Sequence, residues 1–305
     1  MRIIVTGGAG FIGSHIVDAY LARGHRVAII DNLSTGTRRN INPKAHFYKA
    51  DIRNQKILDH IFQKEKPDVV NHHAALASVI ASIGNPNVTF ETNILGTVNL
   101  LRAFAAHGNG KSRKFIFAST GGAIYGTPKK LPASEATPPK PSSPYGFSKL
   151  LGEETIAFYA RTSHFTYTIL RYANVYGPRQ NPHGEAGVVA IFRKLMAQRK
   201  QLTIFGDGSK TRDYVYVADI ARANIAALTK GSGEIINLGT GIMTSDKEVF
   251  GAVAKAMRFK GVPRYAPFRP GEVSKISLDA RRAQRVLGWT PRMRFKEGVA
   301  RTIRA

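Results

Sequence analysis

The sequence lacks cysteine altogether and carries no long hydrophobic run. Without cysteine the 305-residue chain can form no disulfide, use no thiolate nucleophile and hold no metal through sulfur. The apolar stretch IIVT at residues 3–6 meets glycines at once, which is too short for a signal peptide or a membrane span. We therefore expect no membrane association and a cytoplasmic location.

Acidic residues are scarce as well. The chain has 20 Asp and Glu against 45 Lys and Arg, which gives a formal net charge of +25. A surface of this charge attracts phosphates and nucleic acids without specificity. The basic residues are nevertheless scattered, as in RTSHF, AQRKQ and RMRFK, and they form no long block. This dispersal favours a solvated basic surface, and we do not expect a dedicated nucleic-acid site.

The first half of the chain alternates strand-like and helix-like segments. The β-rich runs RIIVT, RVAIID, AHFYKAD, PDVVNHHA, RKFIFAS and YTILRY alternate with amphipathic stretches, including one long helix predicted over residues 87–108. This alternation predicts an α/β fold, a Rossmann-type doubly wound parallel sheet with a smaller C-terminal substrate lobe. We expect the main domain over residues 1–175 and mainly the lobe over 176–305, with some later segments returning to the sheet.

Three of the four glycines in VTGGAGFIGSH lie directly after the first strand and at the start of the first helix. Gly7, Gly10 and Gly13 allow a tight turn, the approach of a pyrophosphate to the backbone, and close helix–sheet contact. Asp31 closes the second strand, where a carboxylate accepts ribose hydroxyls and repels a 2′-phosphate. We therefore predict dinucleotide binding and favour NAD, although the arginine pair at residues 38–39 keeps NADP open.

Tyr145 and Lys149 in SPYGFSKLLGEE are four residues apart and would share one face of a helix. A free phenol has a pKa of about 10 and is a poor base at neutral pH, but an adjacent ammonium favours the phenolate. Upstream, RKFIFAS ends in Ser119 and Thr120, which places hydroxyls at the ligand-binding carboxyl edge of the sheet. The pattern predicts that Tyr145 takes a proton from a substrate hydroxyl while hydride leaves the same carbon.

Together these segments resemble the extended short-chain dehydrogenase/reductase family and, within it, the UDP-glucose 4-epimerase group. The resemblance extends over essentially the whole chain. Its markers are TGGAGFIGSH, DNLSTG, HHAALASV, NILGTVNLL, STGGAIYG, YGFSK, LRYANVYGPRQ, GDGSKTRDYVYV, NLGTG and RPGEV.

The resemblance implies roles for individual residues. Tyr145 would be the catalytic acid and base, Lys149 its activator and a ligand of the nicotinamide ribose, and Thr120 the hydroxyl partner. Contacts with NAD are implied at Gly7, Gly10, Phe11, Ile12, Gly13, Asp31, Asn32, Asp51, Ile52, Ala74, Ala75, Asn93, Ser119, Tyr145, Lys149 and Tyr172. Contacts with a UDP-sugar are implied at Thr120, Tyr145, Asn174, Val188, Arg212, Arg269 and Glu272.

The residues after Thr120 bear on the reaction. Gly121 and Gly122 stand where related sugar dehydratases have Asp-Glu, so no second proton-transfer group is present. We therefore predict 4-epimerisation of a UDP-sugar, and Ile276, which resembles the gate of the sugar pocket, suggests that N-acetylated sugars also fit. Two alternatives stay open: a UDP-glucuronate epimerase or decarboxylase, and a non-catalytic basic NAD-fold protein that binds nucleic acid. The presence of both Tyr145 and Lys149 argues against the second.

Other candidate features are expected to be structural. His72 and His73 have no third ligand at metal spacing, so we expect no metal site and predict that they pack beside the cofactor. Asp213 is interpreted as a strand-end charge without a chemical role. The apolar faces of NILGTVNLLRAF and KLLGEETIAFYA exceed what one sheet can cover, and the resemblance implies a homodimer through a four-helix bundle.

Overall fold

The computed structural model describes residues 1–108, 113–182, 187–268 and 273–305. Within them the strands are β1 (Arg2–Thr6), β2 (Arg26–Asp31), β3 (His46–Lys49), β4 (Val69–His72), β5 (Lys114–Thr120), β6 (Thr166–Tyr172), β7 (Asn174–Tyr176), β8 (Thr203–Phe205), β9 (Thr211–Arg212), β10 (Tyr214–Tyr216), β11 (Glu234–Leu238), β12 (Thr244–Ser245) and β13 (Arg264–Ala266). The α-helices are α1 (Phe11–Leu21), α2 (Gln55–Glu65), α3 (Val79–Gly84), α4 (Pro86–Phe90), α5 (Gly96–His107), α6 (Gly121–Ile124), α7 (Pro144–Ser163), α8 (Val188–Ala197), α9 (Val217–Ala227), α10 (Asp246–Met257), α11 (Arg281–Leu287) and α12 (Phe295–Arg304). A 3₁₀ turn spans Arg38–Asn40 and a π-helical turn spans Glu91–Leu95.

Seven strands form the central sheet in the order β11–β6–β5–β4–β1–β2–β3, and every neighbouring pair is parallel. The strand order reverses between β1 and β4, and ligands bind at the carboxyl ends of strands at such a point. Helices α1 and α9 cover one face of the sheet with Ile16, Tyr20 and Ile220, whereas α2 and α5 cover the other with Phe62 and Phe104. The predicted Rossmann-type fold is therefore confirmed.

Local sequence explains the elements that carry the site. The strands β1 and β2 have the predicted bounds because their side chains are buried without interruption from Ile3 and Val27 onward. Helix α7 begins where the Ser143 hydroxyl accepts the Gly146 N–H at 3.1 Å, with Pro144 in the first turn. This cap fixes the start of α7, the helix that carries Tyr145 and Lys149 and that packs against β5.

The helix predicted over residues 87–108 is interrupted by a wider turn. The π-helical turn between α4 and α5 inserts one extra residue, and it contains the buried Asn93. The Asn93 side chain accepts the Leu76 N–H at 2.8 Å and donates to the Leu76 carbonyl at 3.0 Å. The predicted long helix is confirmed, since α4, the π-helical turn and α5 follow one another without a break. The π-helical turn itself was not predicted, because hydrophobic periodicity carries no signal for a turn that is anchored by a separate loop.

The segments after Tyr176 occupy two places. Strand β11 joins the edge of the central sheet and α9 packs against α1. Helices α8, α10 and α12 surround a separate core that contains Phe192, Val249 and Val299. The two-stranded pairs β7–β10, β8–β13 and β9–β12 complete this region. Within the four described ranges, no helix has the length and apolar character needed to cross a membrane.

Candidate active site

A cavity of about 880 Å³ opens at the carboxyl edge of the sheet and extends to the C-terminal segments. Its wall combines the ends of β5 and β6, the starts of α1, α7 and α8, and the strands β8 and β9. The predicted site residues that line it are Phe11, Ile12, Ser119, Thr120, Tyr145, Tyr172, Asn174, Val188 and Arg212. Because open α/β sheets bind ligands at this edge, the cavity is the candidate active site.

The glycine turn after β1 is tightly packed against the end of β4. Gly7 has a φ of 68°, and a Cβ there would lie 2.7 Å from the backbone nitrogen of Ala74, which Ala75 follows directly. A Cβ at Gly13 would collide with the carbonyl oxygen of Gly7. Gly10 precedes α1 and provides no side-chain cap, so the first N–H groups of this helix can bind a phosphate.

Asp31 lies beside this turn at the end of β2. Its carboxylate accepts the backbone N–H of Ala9 at 3.0 Å and that of Leu33 at 2.8 Å. Burial raises the pKa of Asp31, although the two N–H donors act in the opposite direction. The carboxylate is therefore held in place beside the glycine turn, on the side where folds of this type bind a ribose.

Asn32, Asp51 and Ile52 lie together beyond β2 and β3. The Asn32 amide donates to Asp51 at 3.0 Å, and Arg53 binds the same carboxylate through two nitrogens at 3.0 and 2.8 Å. Arg53 thereby holds the pKa of Asp51 well below its usual value. Ile52 is buried under α5, where a Cβ at Gly96 would lie 2.6 Å from its Cδ1.

A chain of buried hydrogen bonds joins the end of β4 to the π-helical turn. The Ala74 N–H donates to the Thr6 hydroxyl at 3.1 Å, and this hydroxyl lies 2.7 Å from His72 Nδ1. His72 Nε2 lies 2.9 Å from the Thr97 hydroxyl, which donates to the Asn93 carbonyl at 2.6 Å. Because the Thr97 hydroxyl already donates its hydrogen to Asn93, it must accept from His72, which assigns the imidazole proton to Nε2 of a neutral ring. Burial lowers the pKa of His72 well below its usual value, in agreement with a neutral ring.

Tyr145 and Lys149 occupy the first two turns of α7 next to β5. Lys149 Nζ donates to the Ala118 carbonyl at 2.9 Å and lies 4.7 Å from the centroid of the Phe117 ring. Burial lowers the pKa of Lys149 to about 8, and the carboxylate of Glu153 opposes this effect. Tyr145 lines the cavity. The helix therefore brings a phenol and a buried ammonium to the same strand end.

The two hydroxyls that end β5 have different partners. The Thr120 hydroxyl accepts the Ala123 N–H at 3.3 Å and caps α6 while lining the cavity. Its own hydrogen is thereby left to donate to a ligand oxygen. The Ser119 hydroxyl instead donates to Glu153 at 2.5 Å.

Glu153 belongs to a buried polar network that the sequence interpretation did not identify. Arg171 donates to its carboxylate through Nε at 2.9 Å and a terminal nitrogen at 2.5 Å, and also to the Tyr125 hydroxyl at 2.9 Å. Tyr125 donates in turn to Asn237 at 2.8 Å. Although burial opposes it, the Glu153 carboxylate raises the pKa of Arg171. The available signal was Arg171 itself, because it is the one charged residue of the strand TYTILRY and a charge in a buried strand requires a partner.

Asp213 also has a role that the sequence interpretation did not predict. Its buried carboxylate accepts the backbone N–H groups of Thr240, Gly241 and Leu278 at 2.9–3.1 Å and the Thr240 hydroxyl at 2.6 Å. Burial raises the pKa of Asp213, whereas these donors lower it. The Leu278 side chain packs directly on Gly121, next to Thr120. Asp213 therefore fixes a segment that supports the candidate site.

The structure describes some, but not all, of the residues predicted to bind the substrate. Asn174 begins β7, Val188 begins α8 and Arg212 ends β9, and all three line the cavity. Arg269 and Glu272 lie outside the described residues. Ile276 is buried in the core and does not line the cavity, whereas Val273 of the same segment does.

The two histidines at the end of β4 are embedded in the protein. His73 Nε2 lies 3.0 Å from the Tyr172 hydroxyl, and the two rings are stacked. Burial lowers the pKa of His73 to about 3. Among the residues that the structure describes, no group of three His, Asp or Glu side chains is placed to hold a metal ion.

Comparison with known proteins gives consistent matches along the chain. The model of the NAD dependent epimerase/dehydratase family matches residues 3–239. A UDP-glucose 4-epimerase of Mycolicibacterium smegmatis is 42% identical over 309 residues, which cover 99% of this chain and 97% of that protein.

Two solved structures are similar over the whole chain. The UDP-glucose 4-epimerase of Thermotoga maritima, with UDP-glucose, has a TM-score of 0.97 at 46% identity and covers 100% of this chain and 98% of its own. The UDP-glucose 4-epimerase of Thermus thermophilus, in complex with NAD, has a TM-score of 0.94 at 44% identity with the same coverage.

Proposed function

The chain belongs to the NAD dependent epimerase/dehydratase family, and we propose that it catalyses the NAD-dependent 4-epimerisation of a UDP-sugar, UDP-galactose to UDP-glucose. One observation carries the proposal. Tyr145, Lys149 and Thr120 converge at the carboxyl end of β5, and the cavity there also reaches the start of α1 after the glycine turn. This arrangement suits proton transfer from a sugar hydroxyl beside a bound dinucleotide.

The residues around the glycine turn fit NAD. The close packing at Gly7 and Gly13 leaves the uncapped start of α1 open to the diphosphate, and the Asp31 carboxylate suits the adenosine ribose. Lys149 and Tyr172 would hold the nicotinamide half. Further contacts are proposed for Gly10, Phe11, Ile12, Asn32, Asp51, Ile52, Ala74, Ala75, Asn93 and Ser119. When bound, NAD would accept a hydride from sugar C4 and return it.

Tyr145 is proposed to move the proton of the sugar 4-hydroxyl. The ammonium of Lys149, one helical turn away, stabilises the phenolate, so Tyr145 can take this proton and later give it back to the same oxygen. Thr120 donates its hydroxyl hydrogen to that oxygen, because the Ala123 N–H already occupies one of its acceptor positions.

The C-terminal wall of the cavity is proposed to hold the nucleotide. Inversion at C4 requires the 4-keto sugar to turn while the UDP portion stays bound. Arg212 can bind phosphate oxygens with its planar guanidinium, and Asn174 and Val188 flank the same space. Arg269 and Glu272 are proposed for the same task on the basis of sequence alone.

The packing at residues 121 and 122 favours epimerisation over dehydration. A Cβ at Gly121 would overlap the Leu278 side chain, so this position has no room for an acidic residue. A Cβ at Gly122 would lie 3.5 Å from Asn174 Oδ1, so this glycine borders the cavity without a proton-transfer group. Elimination of water needs an additional acid and base, which these positions do not supply.

Replacement of Tyr145 by phenylalanine tests the proposal. We expect kcat for conversion of UDP-galactose to UDP-glucose to fall about 10²–10⁴-fold, the usual contribution of general acid–base catalysis, with unchanged affinity for UDP. Tyr159→Phe on the same helix is the matched control, because Tyr159 packs against the core and does not line the cavity. A Tyr145→Phe variant that keeps most of its turnover would contradict the assignment.

The same assays distinguish the alternatives. A wild-type protein that leaves UDP-galactose unchanged but epimerises or decarboxylates UDP-glucuronate would be a related sugar enzyme. A protein inactive on both that binds RNA at physiological salt would be a basic NAD-fold binding protein. Turnover of UDP-N-acetylgalactosamine tests whether the N-acetylated pair is accepted.

We also propose a homodimer through the outer faces of the π-helical turn, α5 and α7. Leu95 and Phe158 on these elements are 57% and 53% exposed, and Phe147 is exposed as well. Large apolar side chains on neighbouring helices favour an isologous helix–helix interface. Light scattering should give twice the chain mass, and Leu95→Lys with Phe158→Lys should halve it. A wild-type monomer at micromolar concentration would exclude the dimer.

A further inference from the structure

A stripe of three side chains on one extended segment forms part of the cavity wall. Lys210, Arg212 and Tyr214 alternate along the chain, and all three line the cavity. The intervening residues face the other way, since Thr211 Oγ1 is buried and Asp213 binds the backbone of residues 240, 241 and 278. Alternation of this kind places every second side chain on one face of an extended strand.

Lys210 has a defined partner across the β9–β12 pair. The antiparallel register places Thr244 opposite Arg212 and Ser245 opposite Thr211, so Asp246 is opposite Lys210. The Asp246 N–H donates to the Lys210 carbonyl at 3.1 Å, and Lys210 Nζ lies 3.4 Å from the Asp246 carboxylate. The two side chains are 14% and 9% exposed, and both residues line the cavity.

The charges on the described part of the cavity wall are concentrated at this strand pair. Of the described residues that line the cavity, Lys210 and Arg212 are the cations and Asp246 is the anion. The other described lining residues are apolar residues, glycines, alcohols, amides or tyrosines. A nucleoside diphosphate carries its negative charge on the two phosphates, so the attraction it experiences from this wall depends on Lys210 as well as Arg212.

We propose that Lys210 is a second cationic ligand of the nucleotide-sugar diphosphate, next to Arg212, and that Asp246 weakens its binding by competing for the same ammonium. The inference rests on the proposed function, because it assumes that a UDP group occupies this end of the cavity. Lys210 is a flexible cation with three donors and can contact a phosphate oxygen while remaining near Asp246. Asp246 thereby sets how tightly substrate and product are held.

Titration of the NAD-loaded protein with UDP by calorimetry tests the proposal. Lys210→Gln should weaken UDP binding by about tenfold, because a charge-assisted hydrogen bond is lost. Lys247→Gln is the matched control: it removes the same charge from the residue that follows Asp246, but Lys247 is exposed and does not line the cavity. This control should bind UDP like the wild type, and thermal unfolding of each variant checks that it is folded.

The Asp246→Asn variant shows whether Asp246 competes with the diphosphate for the Lys210 ammonium or has only a structural role. Asparagine keeps the backbone bond to residue 210 but removes the carboxylate, so UDP should bind more tightly, by about three- to tenfold. In the Lys210→Gln background the Asp246→Asn change should give a clearly smaller gain, because only the direct repulsion between the carboxylate and the diphosphate is then removed. A gain as large with residue 210 as glutamine as with residue 210 as lysine would overturn the competition.

The outcomes separate this inference from the proposed function. If the wild type binds UDP and Lys210→Gln binds it equally well, Lys210 is not a phosphate ligand, while the epimerase assignment stands. If Lys210→Gln lowers the melting temperature without changing UDP affinity, the pair is structural and the inference is wrong. If the wild type itself does not bind UDP, both the inference and the proposed function fail.

Discussion

The replacement of Gly121 by alanine gives a quantitative test of how the site is supported. An alanine Cβ would overlap Leu278 Cδ1 and would lie 2.8 Å from Cδ2 and 3.1 Å from Cγ. Leu278 cannot easily retreat, because it is fully buried and its N–H donates to Asp213 at 3.1 Å. Overpacking of this kind costs about 1–3 kcal/mol of stability.

Gly122→Ala is the matched control in the same short helix. Its Cβ would lie 3.5 Å from Asn174 Oδ1, which is ordinary van der Waals contact. Both substitutions should gain up to about 1 kcal/mol of stability, because alanine has a higher helix propensity than glycine. The difference between the two variants therefore isolates the overlap with Leu278. Thermal unfolding should show Gly121→Ala melting several degrees below Gly122→Ala.

A double variant tests the cause directly. Leu278→Ala removes the side chain that the new methyl group meets, so its cost of about 2–5 kcal/mol should be smaller when residue 121 is already alanine. Gly121→Ala should also lower kcat, because Thr120 caps the helix that must shift. The reasoning is refuted if Gly121→Ala melts at the same temperature as Gly122→Ala. It is also refuted if the stability loss of the Gly121→Ala/Leu278→Ala double variant equals the sum of the losses of the two single variants.

Two further predictions concern buried polar groups. Glu153→Gln should lower the free energy of unfolding by about 3–5 kcal/mol, because Arg171 is left without its buried anion. The double variant Glu153→Leu/Arg171→Met should recover most of this loss. A Glu153→Gln variant that melts at the wild-type temperature would contradict the prediction. The pKa of His72 is depressed in the folded protein, so its contribution to stability is present above pH 6.5 and is lost as the pH falls below that value. Wild-type unfolding measured between about pH 7 and 5 should include a loss from this residue of up to about 1.4 kcal/mol per pH unit below 6.5, and His72→Gln should reduce the slope; an unchanged slope would show that His72 is protonated in the native state.

The parts of the fold that follow from local patterns were predicted from the sequence. The bounds of β1 and β2 agree because inner parallel strands are continuous apolar runs, and the tyrosine–lysine pair was placed correctly on α7 because a four-residue spacing has one meaning on a helix. The glycine turn was also recognisable, since Gly7 adopts the left-handed conformation that its position requires.

The supporting contacts could not be predicted, because each depends on chain segments that meet only in three dimensions. Glu153 gives no signal on its own helix that it binds Arg171 on β6 and Ser119 on β5. The need for glycine at 121 comes from Leu278, which belongs to the C-terminal part of the chain. The π-helical turn within the long helix could not be predicted for the same reason, since Asn93 is anchored by Leu76, which lies outside that helix.

The proposed reaction requires proton-transfer groups in fixed positions and an open space for the sugar, and the candidate site fits both requirements. Lys149 is bound to a main-chain carbonyl and Ser119 to a buried carboxylate, so the end of β5 and the start of α7 cannot move independently. Between this edge and the cationic wall at Arg212, positions 121 and 122 contribute no side chain to the cavity. If the proposed function is correct, a sugar held by its diphosphate could turn there so that either face of C4 meets the cofactor while its 4-oxygen stays within reach of Tyr145. Gly121 admits the Leu278 side chain, and Gly122 would leave room for the sugar to turn.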